Sequence, residues 1–408
     1  MKNTVLSVDI GSTSLKAALI SDEGQFLDFS RQLFPAAENG GPDYQAAGNW
    51  LPAMQQAVKE FGNTINTVCA VCISGNGPTI VAETGETLLW NVQPPDTLSY
   101  NQKKTNSLFI PRLDIFRTIF PAVWHNSALI FSGPEYLIWQ LTGTAVTILP
   151  EKRYREAYWT EEDLETFSIP EKKLPHYVYP SFNAGYIKTQ LAASIGLPPD
   201  IPVFCGGPDF IVGLIGTGTL YNGTLCDCAG SSEGINFCST IPLSGKGLLT
   251  LPSPLPGQWN TAALIPDSGI RFERFKRLHE KMLGTRISYE QLVTAIIRDK
   301  DSDGYKLLDD IAEKVKDAVE LVKKAALSAE LPWPDHMTVT GGQALNKQWM
   351  QLKCNLLNMD LVVKNCAQAE LTGDAIVARI GLGDYSDIKQ ASTVLIHTNT
   401  VYQPRKEP

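Results

Sequence analysis

Four turns in this chain have residue types that could do chemistry, and each follows an apolar run. They are Asp9-Ile10-Gly11-Ser12-Thr13-Ser14, Gly206-Gly207-Pro208-Asp209, Gly230-Ser231-Ser232 and Gly341-Gly342-Gln343. Glycine after a strand lets backbone N–H groups approach a ligand and cradle phosphate oxygens. None of the four is a Walker A sequence or a GxGxxG fingerprint. One such turn alone is commonly just a turn; four in one chain make a stronger case. Asp9, at a strand end beside hydroxyls, is either a solvated carboxylate or a partner for Mg²⁺ on phosphates, because Mg²⁺ takes one or two carboxylates plus phosphate oxygens and water. Asp209 should lie at a pocket edge. There it could take a proton from a hydroxyl, as phosphoryl transfer to an alcohol requires. It is equally suited to cap a helix over 210–215, and the two roles are compatible.

The elements that must position these turns follow from periodicity. Residues 4–20 read strand, turn, strand, with a hairpin signal at 21–24 and a third strand over 25–31. Residues 224–238 repeat the pattern as strand, Gly/Ser turn, strand. The echo suggests two similar domains, 1–220 and 221–408. Helical spacing is predicted over 50–61, 135–141, 190–195, 307–327, 347–357 and 372–381. Strands are predicted over 68–73, 79–82, 201–204, 337–340 and 361–363. Residues 91–107 read as a loop, the charged stretch 150–165 as solvated surface, and 403–408 as frayed. Asp227 alternates with Cys226 and Cys228, so it faces the other side of its strand. That makes it a strand-edge residue or a second phosphate-side or metal-side carboxylate.

Composition narrows the class. The chain has 408 residues, 43% of them apolar, and a formal net charge of −8. Those values suit two or three packed domains and argue against a protein that coats nucleic acid. No uncharged apolar run is long enough to span a membrane. After Lys2 the apolar run is short and Asp9 interrupts it, so no signal peptide is expected and the cytoplasm is the expected compartment. Its eight cysteines should then be thiols. Cys69 and Cys72 form a CxxC, but on a strand they point to opposite faces. The five histidines show no metal spacing. Trp50, Trp139 and Trp349 are expected in cores. Lys16 could reach phosphate or simply lay its stem along apolar surface.

With the motifs in order, a resemblance is plain. Val8-Asp9-Ile10-Gly11-Ser12-Thr13-Ser14-Leu15-Lys16 resembles the first phosphate motif of the FGGY carbohydrate kinases, in the actin/hexokinase/sugar-kinase superfamily. Gly206-Gly207-Pro208-Asp209 resembles the turn that carries that family's catalytic Asp. Ala229-Gly230-Ser231-Ser232 is similar to its second phosphate motif. Residues 340–349, from Thr340-Gly341-Gly342-Gln343, resemble its adenosine motif, and Ala369-Glu370-Leu371-Thr372-Gly373-Asp374-Ala375 the segment that follows. Gln45 with Trp50, Ile73-Ser74-Gly75, Tyr136 with Leu141-Thr142-Gly143, and Trp259-Asn260 fit as intermediate markers. The match is collinear from residue 4 to about 383.

The resemblance implies an α/β chain of two actin-like (ribonuclease H-like) domains. Each would be a mixed five-stranded sheet flanked by helices, with a cleft between them. It implies ATP and Mg²⁺ as cofactors and γ-phosphoryl transfer to a sugar or polyol hydroxyl. Carried over, Asp209 is the general base and Asp9 holds Mg²⁺ through water. Gly11, Ser12, Thr13, Ser14 and Lys16 lie near the γ-phosphate. Gly230 and Ser231 line the other phosphate side, and Gly342, Gln343 and Asn346 the nucleotide. Gln45, Asn76 and Asp209 would meet the acceptor. The partner is then a small sugar or polyol, with neither nucleic acid nor membrane; the oligomeric state stays open, a homodimer among the outcomes.

Departures from the family pattern gather at acceptor positions. Asn76-Gly77-Pro78-Thr79 stands where members carry Gln-Met-His-Gly or Gln-Arg-Glu-Thr. Tyr44-Gln45-Ala46 replaces Glu-Gln-Asp, and Trp90-Asn91-Val92-Gln93 shortens a Trp-Asn-Asp-x-Arg stretch. A Gly-Glu-Arg-x-Pro segment is missing. A ketopentose such as xylulose is the first expected acceptor. The alternative is a non-catalytic nucleotide- or sugar-binding regulator on the same fold. An ATP hydrolase is less favoured, because it offers no use for the Gly-Gly-Pro-Asp turn.

Overall fold

The computed structural model describes residues 3–35, 41–93, 105–230, 232–365 and 368–405. The chain divides into two compact units: Met1–Gly216 with Glu370–Leu395, and Thr217–Ala369 with Ile396–Pro408. The expected division at residue 220 into two continuous halves is therefore corrected, because a late helical segment returns to the first unit. The reason is physical. Leu371, Ala375, Ile376 and Val377 of the helix Ala369–Leu382 are buried. Asp374 accepts a hydrogen bond from Ser74 Oγ at 2.8 Å, and Arg379 donates to the Asn3 carbonyl.

The first unit is built on a six-stranded sheet in the order Asn183–Tyr186, Pro202–Pro208, Val68–Gly75, Thr4–Ile10, Ser14–Ile20, Phe26–Leu33. Thr4–Ile10 runs parallel to Val68–Gly75 and antiparallel to Ser14–Ile20, and Pro202–Pro208 runs parallel to Val68–Gly75. Every residue of Thr4–Ile10 is buried. A central strand covered on both faces reads as one apolar run, which is why its single carboxylate, Asp9, stands out. The helix Trp50–Glu60 lays Met54, Ala57 and Val58 on the sheet, as its spacing predicts, together with Trp50.

The second unit has a seven-stranded sheet in the order Leu248–Pro252, Trp259–Ile265, Glu233–Ser239, Thr224–Ala229, His336–Thr340, Asp360–Lys364, Thr398–Tyr402. Three meandering antiparallel strands are followed by two parallel ones, as in the first unit. The expected five-strand arrangement is thus present in both units, and edge strands extend it. The helix Asp303–Ser328 covers this sheet with Leu308, Ile311, Val315, Val319 and Val322.

Two local expectations change. The charged stretch 150–165 is not all solvated surface: Tyr154, Tyr158, Trp159 and Leu164 are buried, and Phe109 stacks on Tyr158 at 4.4 Å. Charged residues there alternate with apolar anchors at helical spacing, and a Thr160–Asp163 capping box starts the helix Glu161–Phe167. Asp227 is not at a strand edge but in the middle of its sheet, fully buried. Most of the predicted loop 91–107 lies outside the described residues. Among the described residues no helix is long and apolar enough to cross a membrane.

Candidate active site

In the first unit the Gly11 turn is closed by Gly11 N–H donating to the Ser14 carbonyl at 3.0 Å. Strand pairing then places Asp9 directly opposite Lys16 and beside Ser74. Lys16 Nζ donates to Asp9 Oδ2 at 3.1 Å and lies 3.9 Å from Glu370 Oε2. Burial works against the charge on Lys16, but Glu370, Asp9 and Asp209 outweigh it and hold its pKa above the usual lysine value. Asp9 Oδ1 and Glu370 Oε2 are buried without a hydrogen-bond partner.

Asp209 joins this cluster from the end of a strand two positions away in the sheet. Pro202–Pro208 carries a register shift between Cys205 and Gly207, and the helix Asp209–Thr217 begins at once. A bulge re-aims the residues after it. Gly206 makes the close passage feasible, since a Cβ there would overlap Asp374 Oδ1 and the Ile73 carbonyl. Asp209 is half-buried, and its Oδ1 accepts the Phe210 N–H at 2.7 Å. Burial, with the charges of Asp9 and Glu370 adding to it, pushes its pKa up to about 7, against the pull of Phe210 N–H and Lys16. A carboxyl tuned to that range can take a proton near neutrality.

In the second unit the turn at Gly230 approaches the turn at Gly341. Gly341 has φ +92, and a Cβ on it would overlap the Ala229 carbonyl, so only glycine fits. Gln343 Nε2 reaches the Gly230 carbonyl at 3.4 Å, while its Oε1 accepts from Trp349 Nε1 at 2.7 Å.

No family model matches the chain. The xylulose kinase of Staphylococcus epidermidis is 22% identical over 478 aligned positions, covering 100% of this chain and 94% of that protein. The ligand-bound xylulose kinase structure from Lactobacillus acidophilus superposes with a TM-score of 0.78 at 16% identity, covering 98% of this chain and 94% of the other. Plasmodium falciparum glycerol kinase, solved with ADP, gives a TM-score of 0.74 at 14% identity and covers 99% and 94%. Over its whole length the chain is similar to carbohydrate kinases. Its fold is that of the two-domain sugar kinases, with the actin-like sheet in each unit.

Against the FGGY pattern, Asp9, Lys16 and Asp209 come together in one cluster, and Ser12 and Thr13 lie in the turn beside it. Other candidates are occupied by the scaffold. Ser14 Oγ is buried and accepts from Arg31 Nε at 3.1 Å, while Ser12 Oγ accepts from Trp90 Nε1 at 2.8 Å. Asn76 is buried; its Nδ2 donates to the Ile10 carbonyl at 2.9 Å, and its Oδ1 accepts from Thr79. It braces the Gly11 turn instead of presenting its amide. Asn346 caps the helix Lys347–Leu357, accepting from Trp349 N–H at 3.0 Å. Gln45, Gly230 and Gly342 are exposed, and Ser231 lies outside the described residues.

Four residues escape motif reasoning. Glu370, quoted above only as part of a segment, enters the Asp9–Lys16–Asp209 cluster. Burial raises its pKa and Asp9 adds to this, with Lys16 opposing. Asp374 lies beneath the cluster against Ser74 and Cys72, where burial keeps its pKa well above the carboxylate range. Lys353 and Glu233 form a buried ion cluster with Asp227. No local spacing signals any of them, because each partner comes from a distant part of the chain.

Proposed function

We propose that this protein catalyses ATP-dependent phosphorylation of a sugar or polyol hydroxyl, with a ketopentose such as xylulose as its first acceptor. The observation that carries this reading is the Asp209 carboxyl, set at a strand–helix junction with its pKa pushed up to about 7 beside Asp9 and Glu370. A base in that state accepts the proton of the attacking hydroxyl as the phosphoryl group moves in line. The curated relative named xylulose kinase and the ADP in a structural neighbour support the choice of acceptor and of nucleotide.

The Gly11 turn offers the exposed Thr13 hydroxyl and backbone N–H groups to the terminal phosphate. The Gly230 and Gly341 turns serve the remaining phosphates and the nucleoside. Asp9 Oδ1 and Glu370 Oε2, buried and accepting no hydrogen bond, suit a hydrated divalent cation. Among the described residues no three His, Cys, Asp or Glu side chains could hold a metal between them. When bound, Mg²⁺ would offset phosphate charge; Asp9, and Glu370 beside it, would hold it through water. The cytoplasm supplies both ATP and reducing conditions for the thiols, and a homodimer is one outcome for assembly.

Asn76 favours a second reading. Because its side chain is taken up by Ile10 and Thr79, the acceptor side is reduced, and a binding protein without turnover could use the same fold. ADP release with Mg-ATP across ketoses, aldoses and polyols separates the two. Acceptor-dependent ADP that disappears in Asp209→Asn is the expected result. Nucleotide binding with no acceptor-dependent ADP would replace the kinase by the binding protein.

A further inference from the structure

Lys353 is fully buried on the helix Lys347–Leu357, and so are the two carboxylates it meets. Its Nζ donates to Asp227 Oδ2 at 3.1 Å and to Glu233 Oε1. Asp227 belongs to the strand that enters the Gly230 turn, and Glu233 is the first residue of the strand that leaves it. Ala229 and Glu233 are the last cross-strand pair before that turn. One ammonium therefore ties together the two strands that set the width of the turn.

The same helix reaches the turn by a second route. Lys353 Nζ stands 5.2 Å over the Trp349 ring. Trp349 donates to Gln343, and Gln343 donates to the Gly230 carbonyl. Both routes end at the Gly230 turn, and both start from the helix that follows the Gly341 turn. Burial of three charged groups is expensive, and well-packed apolar residues would usually serve stability as well or better. Asp227 Oδ1 and Glu233 Oε2 even lack hydrogen-bond partners. A stability role alone accounts poorly for such an arrangement. Fixing the Gly230 turn in place does account for it, since groups that bind phosphate lose much of their effect when displaced.

We propose that Lys353 is a positioning residue for the nucleotide: through Asp227 and Glu233 it sets the Gly230 turn for phosphate, and through Trp349 and Gln343 it couples that turn to the Gly341 turn. The proposal rests on the kinase reading. It assigns Lys353 no contact with ATP and no part in holding the acceptor.

The test uses the full chain, with ADP as probe, in equilibrium dialysis and steady-state kinetics. Lys353→Met alone strands two buried carboxylates and could fail to fold. The decisive variant is therefore Asp227→Asn/Glu233→Gln/Lys353→Met, which removes the charges together, with Lys353→Arg as the conservative partner. The expected result is a triple variant with a near-native thermal midpoint and a Kd for ADP raised about tenfold or more. KM for ATP rises in parallel, KM for the acceptor stays unchanged, and Lys353→Arg falls between. Folded variants that bind ADP as the wild type does would overturn the proposal while leaving the kinase reading intact. A wild type that binds no ADP would overturn both.

Discussion

In the first unit Thr4–Ile10 pairs antiparallel with Ser14–Ile20 and parallel with Val68–Gly75; in the second, Thr224–Ala229 pairs antiparallel with Glu233–Ser239 and parallel with His336–Thr340. Each central strand carries one aspartate and each aspartate meets a lysine, yet the two pairs do different work. Asp9 stands two residues before Gly11, and Asp227 three before Gly230. Side chains alternate along a strand, so one residue of offset moves a carboxylate to the other face. Measured from the turn, Asp227 sits where the first unit has the core residue Val8, and Asp9 where the second has the half-buried Cys228. Asp9 keeps an unpartnered oxygen next to residues about a fifth exposed, Lys16 at 22% and Glu370 at 23%. Asp227 and Lys353 are at 0%. The same hairpin thus places a carboxylate beside partly exposed partners in one register and among fully buried ones in the next.

The largest effect should fall on Asp209. Asp209→Asn removes the base and should lower kcat by about 10²–10⁴-fold, the usual worth of a positioned proton acceptor, with the thermal midpoint held or raised. Retention of most of kcat would mean that Asp209 is not the base. Next comes Lys353→Met. Removing one partner of a buried ion cluster costs about 3–5 kcal/mol, and urea unfolding measures it. Lys16→Met is the matched control in the first unit. The Lys16 side chain is 22% exposed where that of Lys353 is at 0%, so the loss should be smaller than for Lys353→Met, while activity falls. Equal destabilisation by the two substitutions would erase the distinction between the pairs.

A smaller loss tests the feature that the two units share. Gly75 pairs with Ile10, the residue before the first turn, and Gly341 abuts Ala229, the residue before the second. Gly341→Ala forces a Cβ against the Ala229 carbonyl at φ +92 and should cost about 1–3 kcal/mol. Gly342→Ala meets nothing within 4 Å and should leave the midpoint unchanged. Equal midpoints for the two variants would show that the approach of the turns is not a constraint.

Much of this was legible in the chain. The apolar runs around Asp9 and Met337, the helical stripe of Trp50, Met54 and Val58, and the Gly-rich turns announce themselves by local period and composition. So does the position of Asp209, after Gly-Gly-Pro and before an apolar run, although the same position also suits a helix cap. Glu370 and Lys353 do not announce themselves. Glu370 meets Lys16 only because the segment that carries it returns to the first unit, and a linear reading assigns it to the second. Lys353 looks like any helix lysine, yet its helix turns that position onto Asp227 and Glu233. Asn76 misleads for a related reason. A polar residue after Ile-Ser-Gly suggests a ligand contact, but sequence does not show that the Ile10 carbonyl consumes the amide. Tertiary hydrogen bonds and ion pairs carry no local signature, so the scaffold roles stay hidden where the candidate catalytic turn is readable.

The finest separation of the two regions is by pH. Burial pushes both Asp209 and Asp227 up to about 7, with Asp9 and Glu370 adding to the first and Glu233 adding to the second against Lys353. A carboxyl raised in the folded state holds its proton longer than in the unfolded chain. Each group therefore lowers stability progressively as pH rises from the ordinary carboxylate value, 3.8, to about 7. Asp227→Asn should flatten that fall in thermal midpoint between pH 4 and 7. It should leave the pH dependence of kcat/KM in place, rising through about 7 as Asp209 loses its proton. The activity profile belongs to the first unit, and the stability profile is shared by both. If Asp227→Asn moved the kcat/KM inflection and left the midpoint curve alone, Asp227 would be part of the reactive cluster and the register argument would fail.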